Sequence, residues 1–307
     1  MRIVLIGQQA FGKSVLEAIF DAGKDEVAGV FCSPDQEGRP EDPLKAGAQE
    51  RGVPVFQPGR FRSAEAIEQF VGLSPDLCVM AYVTDIVPME MIEAPTHGTI
   101  QYHPSLLPLH RGPSSINWPI IMGEKQTGLS IFWPDEGLDT GPVLLQKEIE
   151  IGPDDTLGSI YFNRLFPMGV EAMIEAIDLV REGNAPKVDQ DEERATYESW
   201  ARAKDGKIDW SLSAGRVYDL IRGCNPQPGA NTTRGDETLR IFDSSLGTGG
   251  EAGAAPGTII ASGDDGFQVA TGDGAVLVRR VQRPGAKKEP AAEFASAAGL
   301  KIGDRLG

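Results

Sequence analysis

The stretch GTIQYHPSLLPLHRGP at residues 98–113 has the most unusual combination of chemically active and rigid residues in the chain. His103 ends a strand-like run, and Pro104 and Pro108 after it restrict the backbone through their fixed φ angles. Open α/β sheets bind their ligands at strand ends. An imidazole held there could move a proton, although a lone histidine near a turn is more often a structural group.

A second segment, IFWPDEGLDTGPVLLQ at residues 131–146, contains three acidic residues close to two glycines. Asp135, Glu136 and Asp139 lie within five residues of one another. A carboxylate can orient an imidazole or accept a proton during catalysis. Loop carboxylates are usually solvated, and solvation is the favoured interpretation for Asp135 and Glu136.

The segment GQQAFGKS at residues 7–14 matches the phosphate-loop pattern G-x-x-x-x-G-K-[ST] between a strand and a helix. A phosphate-loop enzyme also needs an acidic residue at the end of an apolar strand to hold magnesium. The apolar strands end as VFCS, PVFQ and VMAY, and none supplies one. The favoured interpretation is therefore a glycine turn that lets the first helix pack close to the sheet.

Strand-like runs alternate with helical runs of about ten residues through the first part of the chain, a pattern typical of a parallel sheet covered on both faces. The fold class is therefore α/β, with a doubly wound, mostly parallel sheet in a domain at residues 1–187. Apolar residues at helical spacing predict a long closing helix at residues 155–183.

The charged segment at residues 188–206 has little apolar periodicity and is predicted to be a linker. A smaller C-terminal domain at residues 207–307 begins with a helix and continues with short strands between Gly- and Asp-rich turns, which favours a β-barrel. Its Gly- and Ala-rich segment at residues 246–257 is typical of a mobile loop.

Composition narrows the possible partners. Lys and Arg number 29 against 45 Asp and Glu, giving a formal net charge of −16 that disfavours nucleic acid and anionic lipid. Cys32, Cys78 and Cys224 form no C-x-x-C pair, and only three histidines are present, so no metal site is expected. No apolar run is long enough to span a bilayer. A cytoplasmic protein is expected.

The two catalytic segments together resemble the signature of the formyltransferases and hydrolases that use 10-formyltetrahydrofolate. That signature has two parts. The first is Asn-x-His followed by S-L-L-P and R-G, and the second is a later Asp within L-D-T-G. The matching positions here are Gln101, His103, Ser105–Pro108, Arg111–Gly112 and Leu138–Gly141. The resemblance covers essentially the whole chain, with similarity to the hydrolase domain of 10-formyltetrahydrofolate dehydrogenase and to methionyl-tRNA formyltransferase. It implies a Rossmann-like first domain and a second domain of the OB-like type.

The resemblance also implies roles for individual residues. Formyl transfer passes through a tetrahedral carbon bearing an oxyanion, which needs a nearby hydrogen-bond donor and a base for the nucleophile. His103 would donate to the oxyanion, Asp139 would orient the imidazole and hold a water, and Gln101 would replace the family's Asn with an amide one methylene longer. Walls for the pterin ring of 10-formyltetrahydrofolate are implied at Ile86, Val87, Pro88 and at Asp135, Glu136, Gly137, Leu138.

The leading hypothesis is an enzyme that takes the formyl group from 10-formyltetrahydrofolate and passes it to water or a small amine. Methionyl-tRNA formylation is the second hypothesis, favoured by the C-terminal domain and opposed by the charge and by Gln101. A phosphate-loop nucleotide-binding module and a non-catalytic folate-binding protein are the alternatives from other classes.

Overall fold

The computed structural model describes residues 1–247 and 253–307. Of the Gly- and Ala-rich segment at 246–257, residues 248–252 lie outside this description. The chain forms two compact units. The first comprises Met1–Gly112, Gly128–Glu148 and Arg164–Tyr197, and the second comprises Pro113–Thr127, Ile149–Asn163 and Glu198–Gly307. The domain limits of 1–187, 188–206 and 207–307 stay a prediction.

Seven strands form the larger sheet. They are β1 (Arg2–Gly7), β2 (Glu26–Phe31), β3 (Val55–Phe56), β4 (Leu77–Ala81), β5 (Thr99–His103), β6 (Gln126–Phe132) and β7 (Val143–Glu150). Their order is β3-β2-β1-β4-β5-β6-β7. The first five run parallel, whereas β6 pairs antiparallel with β5. The prediction of an α/β fold with a mostly parallel sheet is confirmed.

Seven helices accompany this part of the chain. They are α1 (Gln9–Ala22), α2 (Pro43–Glu50), α3 (Ala64–Gly72), α4 (Met89–Ile92), α5 (Asn117–Met122), α6 (Leu157–Ile160) and α7 (Phe166–Arg181). Asp42 and Ser63 cap α2 and α3 through their side chains, as residues with short polar side chains do at helix starts. The single long helix predicted at 155–183 is divided, because a π-helical turn at Tyr161–Leu165 separates α6 from α7.

The C-terminal part of the chain is an antiparallel sheet with two helices. Its elements are α8 (Ala214–Gly223), β8 (Ala230–Arg234), β9 (Glu237–Leu246), β10 (Ile259–Gly263), β11 (Gly266–Ala270), β12 (Ala275–Gln282), β13 (Glu289–Pro290) and α9 (Ala291–Ala297). The strand order is β10-β11-β12-β9-β8, with β13 paired to β12. Ser213 caps α8. Inward-facing residues such as Ile241, Phe267 and Val278 are fully buried and form the core of this sheet.

The connections of the larger sheet place the functional loops at one edge. The strand order changes direction between β1 and β4, and ligands bind outside the carboxyl ends of strands at such a point. Gly7 lets these two strand ends approach closely, because a Cβ there would lie only 2.4 Å from the Ala81 carbonyl oxygen. The loops after β1, β4 and β5 therefore leave the sheet side by side. No helix within the described residues is long and apolar enough to cross a membrane.

Candidate active site

His103 is the last residue of β5 and is only 6% exposed. Its Nε2 atom lies 2.9 Å from the carbonyl oxygen of His110. Because a carbonyl oxygen only accepts hydrogen bonds, Nε2 must carry a proton and donate it. That bond fixes both the orientation of the ring and the position of its proton. Nδ1 is therefore the nitrogen left for chemistry.

Asp139 faces that nitrogen. Its Oδ2 atom lies 3.6 Å from His103 Nδ1, and the Asp139 residue is 6% exposed. The backbone N–H of Gly112 donates to the same Oδ2 atom over 2.8 Å. Asp139 has a φ of 58°, a left-handed conformation that is uncommon for non-glycine residues. The fold thus brings together two predicted site residues that lie 36 positions apart in the sequence.

Gln101 lies two residues before His103 on β5, so both side chains project from the same face of the sheet. Its side chain is half-buried. Within residues 1–247 and 253–307, the Gln101 side-chain amide has no hydrogen-bond partner in the protein. An amide in this state retains its donor and acceptor capacity for a bound molecule.

The residues predicted to hold the pterin ring differ in the solvent exposure of their side chains. Ile86 is 74% exposed and Leu138 is 51% exposed, which is unusual for large apolar side chains. Val87 instead packs into the core beside β4, and Pro88 is the N-cap of α4. Ile86 and Leu138 therefore present apolar surface that a ligand could cover, whereas Val87 supports its loop from inside.

The loop carrying Asp139 is built by its own side chains. Asp135 accepts hydrogen bonds from the Gly137 N–H over 3.0 Å and from the Thr140 hydroxyl over 2.6 Å. Glu136 and Gly137 are exposed at the tip. A Cβ at Gly141 would lie 1.8 Å from the Trp133 carbonyl oxygen, so only glycine fits where the loop closes. Asp135 thus organises the loop that presents Asp139.

Sequence reasoning missed the partners of Arg111. The guanidinium donates to Gln190 Oε1 from Nη2 over 2.9 Å, and to both carboxylate oxygens of Glu192 over 2.6 and 2.9 Å. This hydrogen-bonded pair holds the pKa of Glu192 below its usual value and raises that of Arg111. Both partners lie in the segment predicted as a linker. No feature of the sequence indicates these partners, because the burial that makes Arg111 require paired acceptors is a property of the fold.

The G-x-x-x-x-G-K-S stretch is not an open phosphate loop. Helix α1 already begins at Gln9, so most of the stretch is helical. The Gln9 N–H donates to the Asp42 carboxylate over 2.9 Å. The Lys13 stem packs against Gly47 and its Nζ lies 3.7 Å from Glu17. These contacts support the interpretation of a glycine turn that brings α1 close to the sheet.

The described residues contain no group of three or more His, Cys, Asp or Glu side chains that could hold a metal ion. Cys32, Cys78 and Cys224 are buried, and each is a free thiol.

Comparison with known proteins connects this geometry to a family. The family model described as formyl transferase matches residues 1–177, and the model described as its C-terminal domain matches residues 201–299. A cytosolic 10-formyltetrahydrofolate dehydrogenase of Xenopus tropicalis is 40% identical over 99% of this chain, but the match covers 35% of that protein. A methionyl-tRNA formyltransferase of Trichlorobacter lovleyi is 37% identical, over 99% of this chain and 96% of its own length.

Among solved structures, HypX from Aquifex aeolicus in complex with tetrahydrofolic acid superposes with a TM-score of 0.68. The sequence identity is 20%, and the match covers 98% of this chain and 48% of HypX. At that identity, the similarity establishes a shared fold. This chain spans about a third of the dehydrogenases that it matches, and nearly the full length of the tRNA formyltransferase.

Proposed function

This chain belongs to the formyl transferase family, and from that premise we propose that it takes the formyl group from 10-formyltetrahydrofolate and passes it to water or a small amine. The observation that carries the proposal is the buried pair of His103 Nδ1 and Asp139 Oδ2, 3.6 Å apart at the carboxyl end of β5. The relatives named for 10-formyltetrahydrofolate, and the fold neighbour solved with tetrahydrofolic acid, support the choice of formyl donor.

The reaction follows from the groups present. A water or amine forms a bond to the formyl carbon and gives up a proton, for which the Asp139 carboxylate is the acceptor. The formyl oxygen becomes an oxyanion, which the Gln101 amide stabilises by donating an N–H, and His103 Nδ1 becomes a second donor once Asp139 has passed the nucleophile's proton to that nitrogen. The bond between the formyl carbon and N10 of the folate then breaks, and N10 leaves with a proton returned from the pair. With water, the products are formate and tetrahydrofolate.

Folate is proposed to lie across the exposed apolar side chains of Ile86 and Leu138. The carbonyl and N–H groups of residues 135–139 supply donors and acceptors for the polar edge of the pterin ring. Such a site combines apolar walls with a few fixed polar groups, as is usual for small-molecule sites.

By the family resemblance, the loop at residues 34–47 would touch the acceptor, and it fits a small, uncharged or cationic acceptor better than a polyanion. The Asp42 carboxylate already accepts from the Gln9 N–H at the start of α1, a position where anionic ligands otherwise bind. Lys45 in the same region is paired with Asp35 and Glu41. With a net charge of −16, the protein adds a general repulsion of phosphate groups. A cytoplasmic location is part of the proposal, and it is supported by relatives named cytosolic, although two other relatives are named mitochondrial.

Methionyl-tRNA formylation is the second candidate. It is favoured by the bacterial relative with that name, which this chain matches along nearly all of its length. The C-terminal sheet also exposes Arg279, Arg280 and Lys287, which could contact phosphates. Arg283 nearby is less available, because it pairs with Glu289 over 2.9 Å.

The proposal is tested by incubating the full chain with 10-formyltetrahydrofolate alone and measuring tetrahydrofolate and formate, then repeating the assay with small amines. We expect tetrahydrofolate in both assays, with formate or a formylated amine in equal amount. Binding of the folate without any turnover under all these conditions would contradict the proposal and favour a non-catalytic folate-binding protein.

A further inference from the structure

We propose that residues 190–196, here named the strap, hold the catalytic pair in position, and that Gln190 and Thr196 are positioning residues for the reaction. The inference rests on the proposed function but concerns residues outside the formyltransferase signature. The strap follows α7 and was predicted to be part of a linker. It nevertheless forms hydrogen bonds to the loop that carries Asp139 and to the loop that follows His103.

Gln190 holds the Asp139 side of the pair. Its Nε2 atom donates to the Asp139 carbonyl oxygen over 2.9 Å and to the Gly141 carbonyl oxygen over 2.7 Å. Its Oε1 atom accepts from Arg111 over 2.9 and 3.2 Å. Both ends of one amide are therefore engaged, and together they tie the loop of Asp139 to the segment that follows His103.

Thr196 holds the His103 side. Its hydroxyl oxygen accepts from the His110 N–H over 2.8 Å. The carbonyl oxygen of His110 is the group to which His103 donates from Nε2. Two backbone hydrogen bonds, from Arg111 N–H to the Thr196 carbonyl and from Thr196 N–H to the Pro108 carbonyl, each 3.1 Å long, fasten the strap along the same loop. The ring position of His103 thus depends on the strap through one intermediate residue.

The two residues that the strap contacts, His110 and Asp139, both have an uncommon backbone conformation. His110 has a φ of 55° and Asp139 has a φ of 58°, so both are non-glycine residues in the left-handed region. Such conformations persist only where the surroundings determine them, and they cluster at functional sites. The strap contacts both residues, through Thr196 at His110 and through Gln190 at Asp139. We infer that its hydrogen bonds keep these conformations in place.

A shift of the strap would change the gap between His103 Nδ1 and Asp139 Oδ2. Misplacement of a catalytic group by about 1 Å can cost about 100-fold in rate. Thr196 supports the His103 side, away from the proposed folate walls, so its loss is expected to lower kcat and leave the KM for folate nearly unchanged. Gln190 holds the loop that carries both Asp139 and Leu138, so its loss is expected to lower kcat and also to raise the KM for folate.

The test compares Gln190→Ala and Thr196→Val with Thr196→Ser, which keeps the hydroxyl, and with Asp189→Ala as the matched control. Asp189 is an exposed neighbour outside the strap. We expect the first two variants to lose about 10- to 100-fold in kcat, with Thr196→Ser restoring most of the rate and Asp189→Ala equal to the parent. If Gln190→Ala and Thr196→Val are folded and turn over like the control, the strap has no positioning role. Gln190→Asn, one methylene shorter, replaces Gln190→Ala if that variant fails to fold.

A second readout needs no turnover and so separates this inference from the proposed function. The chain has only three histidines, so nitrogen NMR of the imidazoles can be assigned with single His→Gln variants. We expect His103 in the parent to show the form protonated at Nε2, and Thr196→Val to shift its signals while those of His97 stay in place. Unchanged His103 signals in Thr196→Val would overturn the strap even if the parent enzyme is inactive.

Discussion

At the scale of single residues, the fixed proton of His103 decides how the site can work. The Nε2 proton is donated to the His110 carbonyl oxygen, so the ring cannot also donate it to a substrate without losing that bond. Nδ1 and the Asp139 carboxylate must then carry the proton that moves. The family resemblance implied that His103 donates to the oxyanion but did not specify a nitrogen, because tautomers depend on partners that only the fold brings near.

This assignment predicts the effects of two substitutions on turnover. His103→Ala removes the imidazole, and Asp139→Asn keeps the shape and an oxygen for the Gly112 N–H while losing the proton acceptor. We expect each to lower kcat for 10-formyltetrahydrofolate by about 100- to 1000-fold. Initial rates of tetrahydrofolate formation, with thermal unfolding curves to show that the variants fold, measure the effect. Near-normal turnover in a folded Asp139→Asn protein would remove Asp139 from the mechanism.

At the scale of elements, much of the fold and part of the site could be predicted. Alternating strand and helix patterns identified the parallel sheet, because buried strands and amphipathic helices leave strong apolar periodicity. The strap was predicted to be a linker because it lacks apolar periodicity. Hydrogen bonds of Gln190 and Thr196 hold it in place, and hydrogen bonds leave no periodic pattern in a sequence. The sequence pattern also gave no sign of the hydrogen bond from the Gln9 N–H at the start of α1 to Asp42, which lies 33 residues further along.

The meeting of β1 and β4 gives a stability prediction at this scale. Gly7→Ala would place a Cβ against the Ala81 carbonyl oxygen and force the two strand ends apart. We expect a loss of about 1–3 kcal/mol in the free energy of unfolding, as overpacked sites show. Gly59→Ala is the control, because a Cβ there has no atom within 4 Å.

Urea denaturation of both variants measures the difference. The control should stay within about 0.5 kcal/mol of the parent. Equal stability of Gly7→Ala and Gly59→Ala would show that the close approach of β1 and β4 is not what requires glycine at this position.

At the scale of the whole molecule, three buried thiols make stability depend on pH. Burial raises the pKa of Cys32, Cys78 and Cys224 to about 12, whereas an unfolded cysteine has a pKa of about 8.5. Above the lower value, the unfolded chain releases protons that the folded chain keeps. The contribution of these thiols to the free energy of unfolding is therefore fully present below a pH of about 8.5, and it declines between about 8.5 and 12.

Each thiol should contribute a decline of up to about 1.4 kcal/mol per pH unit in that window. Urea denaturation at several pH values, on the parent and on a Cys78→Ala variant, measures the slopes. The variant should show the shallower decline. Identical slopes would mean that Cys78 ionises in the folded protein as easily as in the unfolded one.

The net charge of −16 and the pairing of Lys45 with Asp35 and Glu41 together predict which acceptor receives the formyl group, and the most direct test is to follow that group. The full chain is supplied with 10-formyltetrahydrofolate labelled in the formyl carbon, with and without charged initiator tRNA at physiological salt. We predict label in formate or in an added small amine, at the same rate whether or not tRNA is present, and Asp139→Asn should lower that rate by about 100- to 1000-fold. Label transferred efficiently to the tRNA, at a rate that falls steeply as salt rises, would contradict our proposal.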